Sequence, residues 1–288
     1  APRTGERLGE DLPSRVDPVA GFPTDGPVQV LWHATSQFYT TDVKPSEYCR
    51  KQTVFTVRKP QIDQRQHAAI RPDVSESALP TGRPIPCMDP IETTVAAVRE
   101  IGPDAVAIDV TTPSGFDAAP GQFVKLSTTI DGESVGRFYT ISSPDTEGTF
   151  ELTISYDRNE GGDFSEYLLS VDAGDPITIT GPFGNDYYEN EPRVVVLAGG
   201  PGIGPAVAIA ERALADGGEA AVVYRDDEPL HEDRLAALSA SGADVFVLAD
   251  EADLADAVAD VLTGSTDETV FVYGFADFLD DAETALES

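Results

Sequence analysis

Arg137-Phe138-Tyr139-Thr140 sets a permanent cation, an aromatic ring and a hydroxyl on one short segment with strand-like composition. Side chains alternate across a strand, so Arg137 and Tyr139 face the same way. A guanidinium fork can grip a phosphate through two parallel hydrogen bonds, and a phenol ring can cover a flat heterocycle. Further along, Gly199-Gly200-Pro201-Gly202-Ile203-Gly204-Pro205 follows an apolar run at 194–197 and leads into an Ala-rich stretch at 206–215. A glycine-rich turn between strand and helix offers backbone N–H groups and a positive helix end to a pyrophosphate. The two segments together imply one flat ring and one dinucleotide, the equipment of electron-transfer chemistry.

These segments sit in an unusual composition. The formal net charge is −32 over 288 residues. Of the 51 acidic residues only 10 precede Met88, the sole methionine, whereas 11 of the 19 basic residues do. Acids spread evenly through a long patterned region are not an acidic tail. Concentrated salt screens such self-repulsion within a few ångströms, so the composition predicts a protein of a salt-in halophile. So negative a chain is not expected to bind nucleic acid. No apolar run approaches the roughly 20 residues that span a bilayer, so no membrane insertion is expected. The lack of cysteine after Met88 suits a reducing cytoplasm and excludes an iron–sulfur cluster held by that part, which needs about four thiolates.

Residues 1–87 lack the acidic signature. They hold short apolar runs at 28–32 and 53–57 but no sustained period. They read as an extension: upstream sequence before a start at Met88, a disordered segment, or a small partner-binding unit. Cys49 and Cys87 form neither a metal-ligand spacing nor a Cys-x-x-Cys pair.

From about 90 to 185 the pattern is β-like. Strands are expected at 93–100, 105–111, 121–127, 136–141, 149–156 and 175–180, with one helical insert at 164–169. Turn chemistry at Pro113-Ser114-Gly115, Asp131-Gly132 and 145–148 separates them. Six short strands and one helix predict a small closed antiparallel barrel over 88–188. The period then changes. Continuous apolar runs at 194–197, 220–224, 244–248 and 269–273 alternate with helical stretches at 206–216, 230–241, 251–262 and 277–286. That alternation predicts a Rossmann-like parallel sheet, covered on both faces, over 192–288.

In this order the motifs resemble the ferredoxin–NADP reductase family, over about 88–288. The resemblance implies a barrel that binds FAD and an α/β domain that binds NADPH or NADH. Within Arg137-Phe138-Tyr139-Thr140 it implies that Arg137 pairs with the flavin pyrophosphate, Tyr139 stacks on the isoalloxazine and Thr140 hydrogen-bonds near its N5. Gly162, Asp163, Phe164 and Ser165 fit the family's second phosphate-binding motif, at a helix start where an anion is favoured. Residues Gly199, Gly200, Pro201, Gly202, Ile203, Gly204 and Pro205 resemble its turn under the nicotinamide nucleotide. Pro201 stands where threonine or serine is frequent, which removes a hydroxyl and an N–H. Tyr273-Gly274-Phe275 replaces a Cys-Gly-Pro segment beside the hydride path, and tyrosine cannot reproduce a thiol.

The choice of nucleotide stays open. Arg225 could face a 2′-phosphate, while Asp226 or Asp227 could bind a 2′-hydroxyl, and solvated surface charges match the pattern equally. His231 reads as a lone surface histidine at an acidic helix start. The resemblance implies hydride transfer between NAD(P)H and FAD, with Tyr139 and Thr140 tuning the flavin. Electrons would pass to or from a separate carrier, a ferredoxin first among the candidates. Two alternatives remain: an electron-transfer subunit of a larger dehydrogenase or oxygenase complex, and a flavin- or nucleotide-binding sensor without turnover.

Overall fold

Apolar residues at every second position, or in unbroken runs, decide which surfaces of this chain meet. The computed structural model describes residues 89–130, 132–156 and 163–288, together with the backbone of a strand at Gln29–Ala34. Met88 and the rest of the extension lie outside the described residues.

The first layer is antiparallel. Strands β2 (Ile91–Gly102), β3 (Ala105–Thr111), β4 (Phe123–Ile130), β5 (Glu133–Thr140), β6 (Thr149–Ser155) and β7 (Pro176–Phe183) form a sheet in the order β5-β4-β7-β2-β3-β6. A bridge between Ile141 and Leu152 brings its two ends together, and the Ser142 N–H donates to the Glu151 carbonyl at 2.8 Å. Helix α1 (Asp163–Leu169) closes one end. Its Phe164 and Leu168 join Val124, Leu126, Tyr139, Ile141 and Ile154 in the barrel core. The expected barrel is present, with the helical insert one residue longer than anticipated.

The second sheet is parallel, with strands β8 (Arg193–Gly199), β9 (Glu219–Arg225), β10 (Asp244–Leu248) and β11 (Glu268–Gly274) in the order β11-β8-β9-β10. Successive residues of each central strand serve different helices. Val194, Val196, Val222, Tyr224 and Phe271 pack under α2 (Ile203–Ala215) and α3 (Glu232–Ala240). Val195, Leu197, Val223, Val270 and Val272 pack under α4 (Ala255–Val261) and α5 (Ala276–Glu287). This is why the strands read as continuous apolar runs. Each such side chain contributes about 1.5–3 kcal/mol by burial, so truncating a central one such as Phe271 opens both a cavity and the sheet.

One feature departs from the expected boundaries. The sheet expected within 192–288 gains a fifth parallel strand from outside those bounds, β1 (Gln29–Ala34), beside β11, with Gln29 opposite Thr269 and Ala34 opposite Gly274. The strand falls largely within the short apolar run at 28–32. Six residues show too little period to signal a strand alone; the unpaired edge of β11 supplies the partner that does.

Candidate functional site

Arg137 and Tyr139 lie on the buried face of β5, as strand alternation requires. The Arg137 guanidinium donates to the Ser165 hydroxyl at 2.7 Å across 28 residues of chain. Both side chains are buried, so the fold joins two motifs that the sequence holds apart. Gly162 lies outside the described residues, while Asp163 opens α1 and Phe164 stacks against Tyr167 with centroids 6.3 Å apart.

The charge balance around Arg137 is distinctive. Arg99 pairs with Asp109 and Glu151, Arg193 with Glu219 and Glu268, Arg212 with Asp216, Arg225 with Asp281, and Arg234 with Glu151 and Glu211. Among the described residues no carboxylate lies within ion-pair distance of Arg137. A buried cation without a counter-charge is costly, and in a region this rich in acids a carboxylate partner was readily available. The donor set of guanidinium plus hydroxyl suits a phosphate oxygen. These residues fit the pyrophosphate of FAD.

Tyr139 is buried within the barrel core, and burial pushes its phenol up to about 12, with Ser165 and Arg137 pulling the other way. The Tyr139 and Ser165 hydroxyls nevertheless do not meet the geometry of a formed hydrogen bond. Thr140 is half-buried, opposite Phe123. Phe138 points to the other face, where it meets Phe123 at 5.8 Å and Phe183 at 5.9 Å, both edge to face.

The glycine turn is built from backbone. Strand order reverses between β8 and β11, which makes the carboxyl ends of these two strands the crevice where open α/β sheets bind ligands. Gly199 ends β8, a 3-10 turn spans Gly200–Gly202 with Pro201 at its centre, and α2 starts at Ile203. A Cβ on Gly202 would strike the backbone carbonyl of Tyr273, so the turn lies flat against the end of β11. No side chain caps α2; the Ile203 N–H instead bonds the Gly200 and Pro201 carbonyls, so the 3-10 turn runs directly into the helix. Gly204 and Pro205 are buried, and a Cβ on Gly204 would collide with the hydroxyls of Ser142 and Thr153 on the barrel.

Around the turn, Phe278 of α5 packs against both Gly199 and Gly274. The Arg225 guanidinium lies 5.1 Å over the Phe278 ring and pairs with Asp281 at 2.7 Å. Asp226 accepts from the Tyr224 hydroxyl at 3.0 Å and from the Glu228 N–H, and Asp227 accepts from the Asp250 N–H. Phe275 is 41% exposed and sits beside Gly200. Tyr273 is fully buried, its hydroxyl against Gly121 of the barrel, and burial raises its pKa strongly, with Asp186 and Glu191 adding to the shift.

His231 corrects the surface reading. It is 1% exposed, in a left-handed conformation with φ 54°, and its Nε2 lies 2.8 Å from Thr153 Oγ1. Burial first, then Arg234, lowers its pKa to about 3. The reason is tertiary: the start of α3 is pressed against β6, which a lone histidine among acids could not announce. Phe278 was missed likewise, since only the packed structure brings α5 over two glycines.

A cavity of about 650 Å³ lies between the barrel loops, the linker and the far end of α2, lined by Phe116, Asp117, Glu147, Tyr187 and Arg212 among others. None of the anticipated site residues borders it. Among the described residues no cluster could hold a metal ion, and no helix is long and apolar enough to cross a membrane.

Residues 92–188 match the oxidoreductase FAD-binding domain family. The toluate 1,2-dioxygenase electron transfer component of Pseudomonas putida is 29% identical over 158 residues, covering 52% of this chain and 46% of that protein. The glycine betaine monooxygenase reductase subunit of Pseudomonas aeruginosa is 40% identical over 102 residues, covering 34% and 27%. The chain thus spans less than half the length of these curated relatives. A ferredoxin–NADP⁺ reductase from Neisseria gonorrhoeae, solved with bound FAD and NADP, superposes with a TM-score of 0.56 at 19% identity, over 68% of this chain and 90% of that one.

Proposed function

We propose that this chain, whose residues 92–188 match the oxidoreductase FAD-binding domain family and whose fold is similar to that of a ferredoxin–NADP reductase, is an FAD-dependent oxidoreductase that transfers a hydride between NAD(P)H and FAD and passes electrons to or from a separate partner. The observation that carries this reading is Arg137, the buried guanidinium with a hydroxyl neighbour and no described carboxylate partner. Bound FAD supplies hydride acceptance and one-electron release, chemistry that no side chain here can provide. Arg137 and Ser165 would bind its pyrophosphate, Thr140 would orient the ring, and Tyr139 would wall off the barrel core from it. The turn from Gly199 to Gly204 would hold the nicotinamide nucleotide through backbone N–H groups, with Gly274 permitting close approach and Phe275 offering an exposed ring beside it.

The acceptor proposed first is a ferredoxin, a one-electron carrier separate from residues 89–288, which contain no cysteine to hold a cluster. The second reading makes the chain the reductase component of an oxygenase system, and the names of its Pseudomonas relatives favour it. A cytoplasm of high ionic strength is the setting the charge balance supports.

Purified full chain in molar KCl with added FAD, titrated anaerobically with NADH and then NADPH, tests the assignment. Bleaching of the flavin band by one nucleotide is the expected outcome. Bound flavin that neither reduces would turn the reading toward a sensor, and failure to bind flavin would remove it.

A further inference from the structure

The start of α3 reaches across the domain boundary to the end of β5. Its His231 and Arg234 both contact the barrel, one turn apart on the same face. Arg234 donates to the Ser142 carbonyl at 2.8 Å and to Glu151 at 2.7 Å, and both its remaining nitrogens bind Glu211 of α2. Ser142 is fully buried. Its hydroxyl accepts from the Thr153 N–H at 3.1 Å and from the Thr153 hydroxyl at 2.9 Å, and donates to the Thr140 carbonyl at 3.4 Å.

The direction of this chain fixes the histidine tautomer. Thr153 has one hydroxyl proton, and it goes to Ser142, so the 2.8 Å contact with His231 is donated by the imidazole Nε2–H. Nδ1 is then a bare lone pair, a buried atom with no hydrogen-bond partner among the described residues. Burial beside Arg234 and Arg99 keeps the ring neutral, against the opposite pull of Asp233, so Nδ1 stays unprotonated. The hydrogen bonds therefore run one way: His231 to Thr153 to Ser142 to the Thr140 carbonyl.

We infer that His231 is a positioning residue, which through Thr153 and Ser142 sets the backbone of Thr140 where β5 leaves the sheet. The role rests on the reading of Thr140 as a flavin contact. It makes α3 of the nucleotide domain part of the flavin site, and it gives the close approach at Gly204 a purpose, since any Cβ there would displace the same two hydroxyls.

The test uses the full chain loaded with FAD in molar KCl. His231→Leu removes the donor, His231→Gln keeps an N–H at similar reach, and both carry the same left-handed backbone cost. Thr153→Val removes the middle link while keeping shape; because Thr153 also lies against Gly204, its effect is read on FAD alone, with no nicotinamide nucleotide present. His231→Leu and Thr153→Val are each expected to weaken FAD affinity about ten-fold, the scale of one buried hydrogen bond left unmade. Each should also change the shape of the visible flavin band. Their double variant should be no worse than either alone, because both break one chain, and His231→Gln should restore the band. Variants that lower the melting temperature yet leave affinity and band as in the parent would overturn the inference, as would additive losses in the double variant. If His231→Leu does not fold, Thr153→Val decides the matter. A parent protein that binds no FAD would instead sink the proposed function itself, and that outcome is read from the parent alone.

Discussion

The two half-sites are made of different materials. On the barrel, side chains would bind under the proposed function: one guanidinium, one hydroxyl and one phenol, with Arg137 on the strand and Ser165 on the helix 28 residues apart. At the glycine turn the proposed contacts are backbone, and side chains matter mainly by being absent. A side-chain site fails when a group is removed, and a backbone site fails when an atom is added. That contrast predicts which substitutions injure folding and which injure only binding.

The largest effect is expected at Gly202. Alanine there must push apart the turn and the end of β11, against backbone rather than a movable side chain. Over-packing of this kind costs typically about 1–3 kcal/mol and more when backbone must shift. Denaturant unfolding of Gly202→Ala should show a loss at or above the top of that range; a loss below about 1 kcal/mol would mean that the turn is loosely seated.

Arg137→Ala should do the reverse. Removing a buried cation with no described counter-charge should leave the apo protein as stable as before or slightly more so. FAD affinity should fall about ten- to hundred-fold, the worth of a charge-assisted hydrogen bond. Calorimetry with and without FAD separates the two quantities. Equal losses in apo stability and in affinity would show that Arg137 is structural.

The domain boundary carries a pH signature. The unfolded His231 takes up a proton below about 6.5, whereas the folded one resists until about 3. Its contribution is therefore complete above pH 6.5, shrinks as the pH falls through that window, and levels off below 3. At pH 5 the loss is about 2 kcal/mol relative to pH 8. Unfolding free energies of parent and His231→Gln, compared at both pH values, should differ in slope by that amount; parallel slopes would mean an accessible imidazole.

The smallest effect belongs to Asp281→Asn. Asp281 is more than half exposed, so losing its bond to Arg225 should cost about 0.5 kcal/mol or less. The freed guanidinium would then be available at the carboxyl end of β9. A few-fold gain in affinity for NADPH over NADH would identify Arg225 as the reader of the 2′-phosphate. No change in the ratio would leave that task to another group.

Much of this was legible in order along the chain. The run 105–111 is β3 to the residue and 244–248 is β10, because β-branched and apolar residues bounded by turn chemistry leave few alternatives. Boundaries drifted where tertiary contacts extend an element: β4 begins at Phe123 rather than 121 and continues to Ile130, where it pairs with Glu133 across the turn. The motif at 137–140 and the glycine turn were both visible because their chemistry requires particular residue types at fixed spacing.

Sequence alone determined the two-layer plan, the charge asymmetry about Met88 and the residue types able to hold a phosphate, since period, composition and turn chemistry are local properties. Only tertiary structure decided that Arg137 meets Ser165, that Arg225 is held by Asp281 over Phe278, that Tyr273 is buried against the barrel and that His231 lies inside the domain boundary. It also decided that Gln29–Ala34 completes the parallel sheet. Each of these depends on a partner distant in the chain, and the partner, not the residue, determines whether a charge is solvated or buried, and whether a hydroxyl faces water or another hydroxyl.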